Sequence, residues 1–254
     1  SFSQESSELV TNGDFSNGST DWILDSGWSV SDDKALCNGT NLAYITQTAV
    51  LNTGKSYKVQ FDIVDYTSGS IKYRDNGFVS GQSFSGVGSY TDYVVAGGGQ
   101  FRLMSENFIG SIDNVSVREV GQDWEFTSGA TIGDDKAIIT GDGSVAGLIQ
   151  QTSVFASGKT YKITLDAVIN SGGGLNVKYG IGFADNIGSM LTTGSYTFYY
   201  TASATKSLVI ARKTGGVAYN SSVTNISVKE VGQNWDFGTG FSIGDDVAIG
   251  TSAT

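Results

Sequence analysis

The chain has no histidine, no proline and a single cysteine among its 254 residues. Without imidazole, and with one thiol, the common acid–base catalysts, zinc sites and thiol nucleophiles are excluded. Cys37 has no partner for an internal disulfide and lies in an apolar strand, where a small core residue is expected. Positive charge is scarce: 15 Lys and Arg face 25 Asp and Glu, a net charge of −10. That balance argues against nucleic acid or an anionic membrane surface as partner. No stretch is long and apolar enough for membrane insertion, and the first residues carry no signal-peptide pattern. With 16% charged residues, the chain is also unlike a disordered acidic tail. Glycine is plentiful, at 35 residues, alongside many Ser, Thr and Asn, which suits short strands joined by tight turns.

The sequence repeats. Gly121-Gln122-Asp123-Trp124-Glu125-Phe126 returns as Gly232-Gln233-Asn234-Trp235-Asp236-Phe237, and 11 of the 18 residues from Gly121 to Ile138 recur between Gly232 and Ile249. Shorter anchors extend the repeat backwards. Trp22 and Asp32-Asp33-Lys34-Ala35 match Trp124 and Asp134-Asp135-Lys136-Ala137, and Gly54-Lys55-Ser56-Tyr57 matches Gly158-Lys159-Thr160-Tyr161. Asp113-Asn114-Val115-Ser116-Val117 matches Thr224-Asn225-Ile226-Ser227-Val228. A period of about 110 residues is that of a whole small domain, not of a solenoid unit. The expected organisation is one domain over 8–120, a second over 121–231 and the start of a third over 232–254. No Pro/Ser-rich or charged linker separates Val120 from Trp124.

Period-two alternation in Tyr57-Lys58-Val59-Gln60-Phe61-Asp62-Ile63, kept in Tyr161-Lys162-Ile163-Thr164-Leu165-Asp166-Ala167, predicts strands with one wet and one dry face. Trp28 to Leu36 reads as a hairpin turning at Asp32-Asp33. The fold class expected is all-β: tandem two-sheet antiparallel β-sandwiches of jelly-roll type, one per repeat. A glycosidase needs only two carboxylates, and Asp62 and Asp166 sit at matching positions, but both fall on the polar phase of their strands, where a solvated surface aspartate is the commoner explanation. The runs Gly97-Gly98-Gly99 and Gly172-Gly173-Gly174 lack the Lys-Ser/Thr of a phosphate loop, and the Asn-x-Ser/Thr triplets at Asn38, Asn114, Asn220 and Asn225 are expected by chance. No enzyme is read here.

Leu9-Val10-Thr11-Asn12-Gly13-Asp14-Phe15, followed by Trp22, resembles the opening of carbohydrate-binding modules of the galactose-binding-like jelly-roll group. Gly110-Ser111-Ile112-Asp113-Asn114-Val115-Ser116-Val117 resembles their last strand. Gly- and Ser-rich versions resemble tandem modules of phage tail-fibre and other virion surface proteins. The resemblance implies a non-catalytic, carbohydrate-binding role at the virion surface or otherwise outside the cell, with a host cell-surface glycan as partner and further copies or other virion proteins as neighbours. A structural spacer that binds no sugar is one alternative, and an accessory module of a secreted glycosidase is another. The family often holds a structural calcium between its first and last strands. Asp113 shares the alternation phase of Val115 and Val117, so one calcium held by Asp113, with Asp14 or backbone oxygens nearby, is expected in the first domain and none in the second, where Thr224 replaces Asp113.

The tryptophans Trp22, Trp124 and Trp235 recur in every copy and read as core anchors, whereas Trp28, replaced by Ala130 and Phe241, could be either a core-edge residue or a platform on which a sugar stacks. The remaining ligand candidates lie where the repeats differ: Tyr66, Tyr73, Arg74 and Phe78 in the first domain, Tyr179 and Phe183 in the second. Aromatic faces beside amides and carboxylates suit paired hydroxyls. Residues 232–254 copy a domain opening and stop, so the rest of a third domain is expected to follow in the intact protein.

Overall fold

A computed structural model describes residues 2, 4–127, 129–181, 186–213, 215–233, 235, 240–244 and 247–250. Contacts divide the chain into two compact units. The first is built on residues up to 122 and the second on those from 123 onward, into whose sheet Ala130–Gly133 pairs. Every regular element among the described residues is a strand.

The first module contains β1 (Ile23–Leu24), β2 (Trp28–Ser31), β3 (Lys34–Asn38), β4 (Tyr44–Gln47), β5 (Ser56–Arg74), β6 (Ser80–Phe84), β7 (Gly88–Val95) and β8 (Phe101–Val120). Its two long strands, β5 and β8, serve both layers of an antiparallel sandwich. The first half of β5 pairs with β7 and with the second half of β8, which also pairs with β3 and through it reaches β2. The second half of β5 pairs with β6 and with the first half of β8, which reaches β4 and β1. Register shifts between Ile63 and Ser70 mark where the chain turns from one layer to the other. There Gly69 adopts φ 77, and a Cβ on it would lie 2.1 Å from the Asn107 carbonyl oxygen. One buried cluster fills the space between the layers, including Ile45, Tyr57, Phe61, Ile71, Phe101, Leu103 and Val117.

The second module contains β9 (Glu125–Phe126), β10 (Ala130–Gly133), β11 (Lys136–Gly141), β12 (Leu148–Phe155), β13 (Thr160–Ser171), β14 (Leu175–Tyr179), β15 (Asn186–Met190), β16 (Gly194–Thr201), β17 (Lys206–Arg212) and β18 (Tyr219–Val231). Its layers are separate five-stranded sheets, β10-β11-β18-β13-β16 and β15-β14-β17-β12-β9. The strand order is that of the first module, but Gly172, Gly173 and Gly174, all at positive φ, interrupt what is a single strand there. The Asp-Asp hairpins form as the sequence indicates. Asp32 and Asp33 have φ 51 and 55, and Asp134 and Asp135 have φ 47 and 62, the twist that two-residue hairpins need. A further hairpin pairs β19 (Phe241–Gly244) with β20 (Val247–Gly250).

Both modules carry the same irregularity in their last strand. Gln60 faces Ser116 and Asp62 faces Asp113, so β8 holds one extra residue, Asn114, at φ 52. Thr164 faces Ser227 and Asp166 faces Thr224, leaving Asn225 as the extra residue, also at φ 52. This bulge corrects the expectation for Asp113. Val117, Val115 and Ile112 enter the core, and the step of three between the last two turns Asp113 outward, half-buried, opposite Asp62. It also explains the recurring aspartates: Asn114 donates to Asp62 at 2.8 Å and Asn225 to Asp166 at 2.6 Å.

Candidate functional site

On β3, alternation sends Ala35 and Cys37 into the core and leaves Lys34, Leu36 and Asn38 outside. Neighbouring β8 sets Ser111 opposite Leu36 and Ile109 opposite Asn38, while Asp65 of β5 faces Ser111 from the other side. These residues, with Thr67 and the edge of Trp28, line an open groove of about 580 Å3 across the outer face of the sheet. Its floor is aliphatic, since Leu36 and Ile109 are 37% and 40% exposed. Its polar groups are oriented by one another. The Asp65 carboxylate accepts from the Ser111 hydroxyl and pairs with Lys34 at 3.3 Å, and both interactions hold it below the usual carboxylate range, the Ser111 hydrogen bond foremost.

Trp28 stacks on Phe108, with ring centroids 6.5 Å apart, and is 6% exposed. Its indole N–H has no hydrogen-bond partner among the described residues. A buried donor without an acceptor costs about 1–3 kcal/mol, and this one belongs to a side chain that lines the groove.

The second module has a groove in the same place, about 490 Å3. There Ile138 and Val168 flank Ser222 as Leu36 and Asp65 flank Ser111. Its polar groups include Lys136, Asp166, Asn170 and Asn220, and Asn170 donates to Asn220 at 3.2 Å. Asp166 is held below the usual carboxylate range by Ser195 and then by Asn225. Val168 in place of Asp65 leaves this groove without the first module's ion pair.

The sequence-predicted residues are dispersed by the fold. Trp28 lines the groove but is a core-edge residue, 6% exposed with its ring stacked on Phe108, so it offers no face for a sugar to stack on, and Tyr66, 38% exposed, stands beside it with its ring 6.3 Å from Phe108 and its hydroxyl donating to the Gly69 carbonyl at 3.1 Å. Arg74 and Phe78 come together elsewhere, at the β5–β6 loop, with the guanidinium 5.5 Å from the ring centroid. Two expectations are overturned by burial. Tyr73 is fully buried, bonding Asp75 at 3.0 Å, and Tyr179 is buried with its hydroxyl donating to the Ala204 carbonyl, so neither presents a ring face to a ligand. Phe183 lies outside the described residues. Trp22 and Trp124 are core residues, whereas Trp235 is 75% exposed.

Asp14 and Asp113 each make local hydrogen bonds. Asp14 is exposed and accepts from the Ser16 hydroxyl at 3.0 Å, and Asp113 accepts from the Asn114 backbone. No three His, Cys, Asp or Glu side chains cluster among the described residues. With Asp113 turned outward, the core carboxylate that needed a compensating charge is gone.

The sequence held a signal for the groove that alternation alone obscures. Ala35-Leu36-Cys37 and Ala137-Ile138-Ile139 each place three apolar residues in succession, so one must face water. In both modules it is the middle one that floors the groove.

No protein-family model and no curated protein matches the chain. Among solved structures, it is similar to the N-terminal tandem CBM22 domain from Paenibacillus barcinonensis Xyn10C, with 10% identity, a TM-score of 0.34, and coverage of 91% of this chain and 100% of that one. A CBM4 structure matches at 23% identity and a TM-score of 0.32, covering 42% of this chain and 77% of that one. An allantoicase structure matches at 11% identity and a TM-score of 0.26, covering 77% and 80%. Likenesses this low carry no functional argument, which rests on the residues themselves.

Proposed function

We propose that the chain is a non-catalytic glycan-binding protein whose two grooves each take part of a saccharide. The observation that carries this reading is the recurrence of one groove on the same sheet face of both modules, with an aliphatic floor and a rim of amide, hydroxyl and carboxylate groups. Sugars need both kinds of contact, an apolar surface for their C–H faces and directional partners for their hydroxyls. The Trp28 N–H, buried and unpartnered at the groove wall, gains a sugar oxygen as acceptor only when the wall yields to a bound ligand.

The groove carboxylates suit binding better than they suit hydrolysis. A glycosidase needs one carboxylic acid held protonated beside a carboxylate. Asp65 and Asp166 are instead held below the usual carboxylate range by their hydrogen bonds. The carboxyl raised by burial is Asp92, which is 3% exposed and bonds the backbone N–H groups of Gln82 and Tyr93.

Two sites in one chain raise avidity for a repetitive polymer when both engage, which suits a host cell-surface polysaccharide. Placement on a virion surface or tail fibre, or otherwise outside the cell, belongs to the same proposal. An array of bacterial polysaccharides probed with the intact chain tests it. Retention on at least one glycan, lost in Asn38→Ala combined with Asn220→Ala, is the expected result. A flat response from folded protein across the array overturns the proposal and leaves a spacer without sugar binding.

A further inference from the structure

The loop between β5 and β6 fixes one exposed ring with several unusual devices. Phe78 is 75% exposed and sits at φ 67, a costly conformation for a bulky side chain. The fully buried Asp75 carboxylate anchors the loop, accepting from Tyr73 at 3.0 Å and from the N–H groups of Val79 at 2.9 Å, Gly97 at 2.6 Å and Gly98 at 3.2 Å. Gly77 approaches Gly97 so closely that a Cβ would lie 2.2 Å from its backbone. Joining two strands requires none of this; strain held in place by the surroundings is characteristic of ligand contacts.

Two arginines lie at the same loop. Arg74 places its guanidinium over the Phe78 ring and donates to the Ser80 hydroxyl at 3.2 Å. Arg102 donates to the backbone carbonyls of Arg74 and Asp75 and stacks 4.8 Å from the Tyr44 ring centroid. Neither makes an ion pair among the described residues, whereas Lys34, Lys72 and Arg118 do. Arg102 lies beside the buried Asp75 and offsets its charge, which leaves the Arg74 guanidinium, bonded to Ser80 and stacked on Phe78, as the cation at this tip without a carboxylate among the described residues.

We propose that Arg74, Phe78 and Arg102 form a second site, separate from the grooves, for a sugar ring that carries a carboxylate. The Phe78 face that Arg74 leaves open takes the apolar face of the sugar, and the outer edge of the planar Arg74 guanidinium, reached past the rim of the ring, takes the carboxylate through two parallel N–H bonds. Arg102, held by the loop backbone, fixes the backbone from which Arg74 projects. The proposal shares with the groove reading only that the ligand is a saccharide.

Calorimetric titration of the intact chain tests it, using oligogalacturonate, oligoglucuronate and sialyllactose, each beside its methyl-esterified form. At least one free acid is expected to bind about 10-fold more tightly than its ester, the scale of one charge-assisted hydrogen bond. That preference is expected to shrink with added salt and to disappear in Arg74→Gln and in Phe78→Ala. Both variants are checked for an unchanged unfolding midpoint, and the groove variant Asn38→Ala is expected to keep the preference. No preference for any acid over its ester overturns the proposal, as does a preference that survives both tip variants. Asn38→Ala losing an ester's binding while no acid preference exists would defeat the tip site and leave the groove reading intact.

Discussion

One substitution separates the packing of Trp28 from the ligand contact proposed for it. Trp28→Phe keeps a ring against Phe108 but removes the unpartnered indole donor. Lost packing and relieved desolvation oppose each other, so stability is expected to stay within about 1 kcal/mol of wild type. Glycan affinity is expected to fall about five- to tenfold, as for a lost hydrogen bond to ligand. Titration calorimetry with a thermal melt reads both, and unchanged affinity would remove Trp28 from the site. Glu106 gives a pH-dependent test. Hydrogen bonds from Lys72 first, then Ser83 and Ser70, hold its folded pKa at about 2, against 4.5 unperturbed. The folded value is depressed, so its stabilisation is full above pH 4.5 and is lost as pH falls towards 2. Glu106→Gln is expected to cost about 1 kcal/mol at pH 7 after solvent screening and almost nothing near pH 2, measured by urea unfolding at both. Asp113 faces outward, so no core charge calls for calcium, and the first module is expected to melt at the same temperature with and without chelator.

At the scale of elements, the bulge in β8 and β18 decides which side chains reach the core and which reach the groove face. Asn114 and Asn225 hold the left-handed conformation that asparagine tolerates and β-branched residues resist. Asn114→Val is expected to destabilise the first module by about 1–2 kcal/mol, whereas Asn114→Gly should cost less, losing chiefly the bond to Asp62. Denaturant unfolding of the two variants is the check, and equal losses would mean that the hydrogen bond, not the backbone, sets the cost. The same bulge limits what alternation can reveal. Strand identity, the Asp-Asp hairpins and the tryptophan anchors Trp22 and Trp124 were legible because each depends on a few adjacent residues. The orientation of Asp113 was not, because one inserted residue reverses every side chain beyond it. Tyr73 and Tyr179 were misplaced for a related reason: on a strand among polar neighbours, an aromatic residue reads as surface when its hydroxyl in fact bonds a buried or backbone acceptor.

At the scale of the whole molecule, repetition was the plainest feature of the sequence, and the fold repeats with it: the same strand order, the same hairpin, the same bulge and a groove in the same place. The site was harder to read because its residues come from β3, β5 and β8, more than seventy positions apart in sequence between Leu36 and Ile109, and only strand pairing assembles them. The most direct test of the central claim is a two-dimensional NMR titration of the intact chain with the polysaccharide fragment best retained on the array. The account predicts shifts concentrated at Leu36, Asn38, Ile109 and Ser111 and at Ile138, Asn170, Asn220 and Ser222. Saturable binding that leaves both sets of resonances unmoved would contradict it.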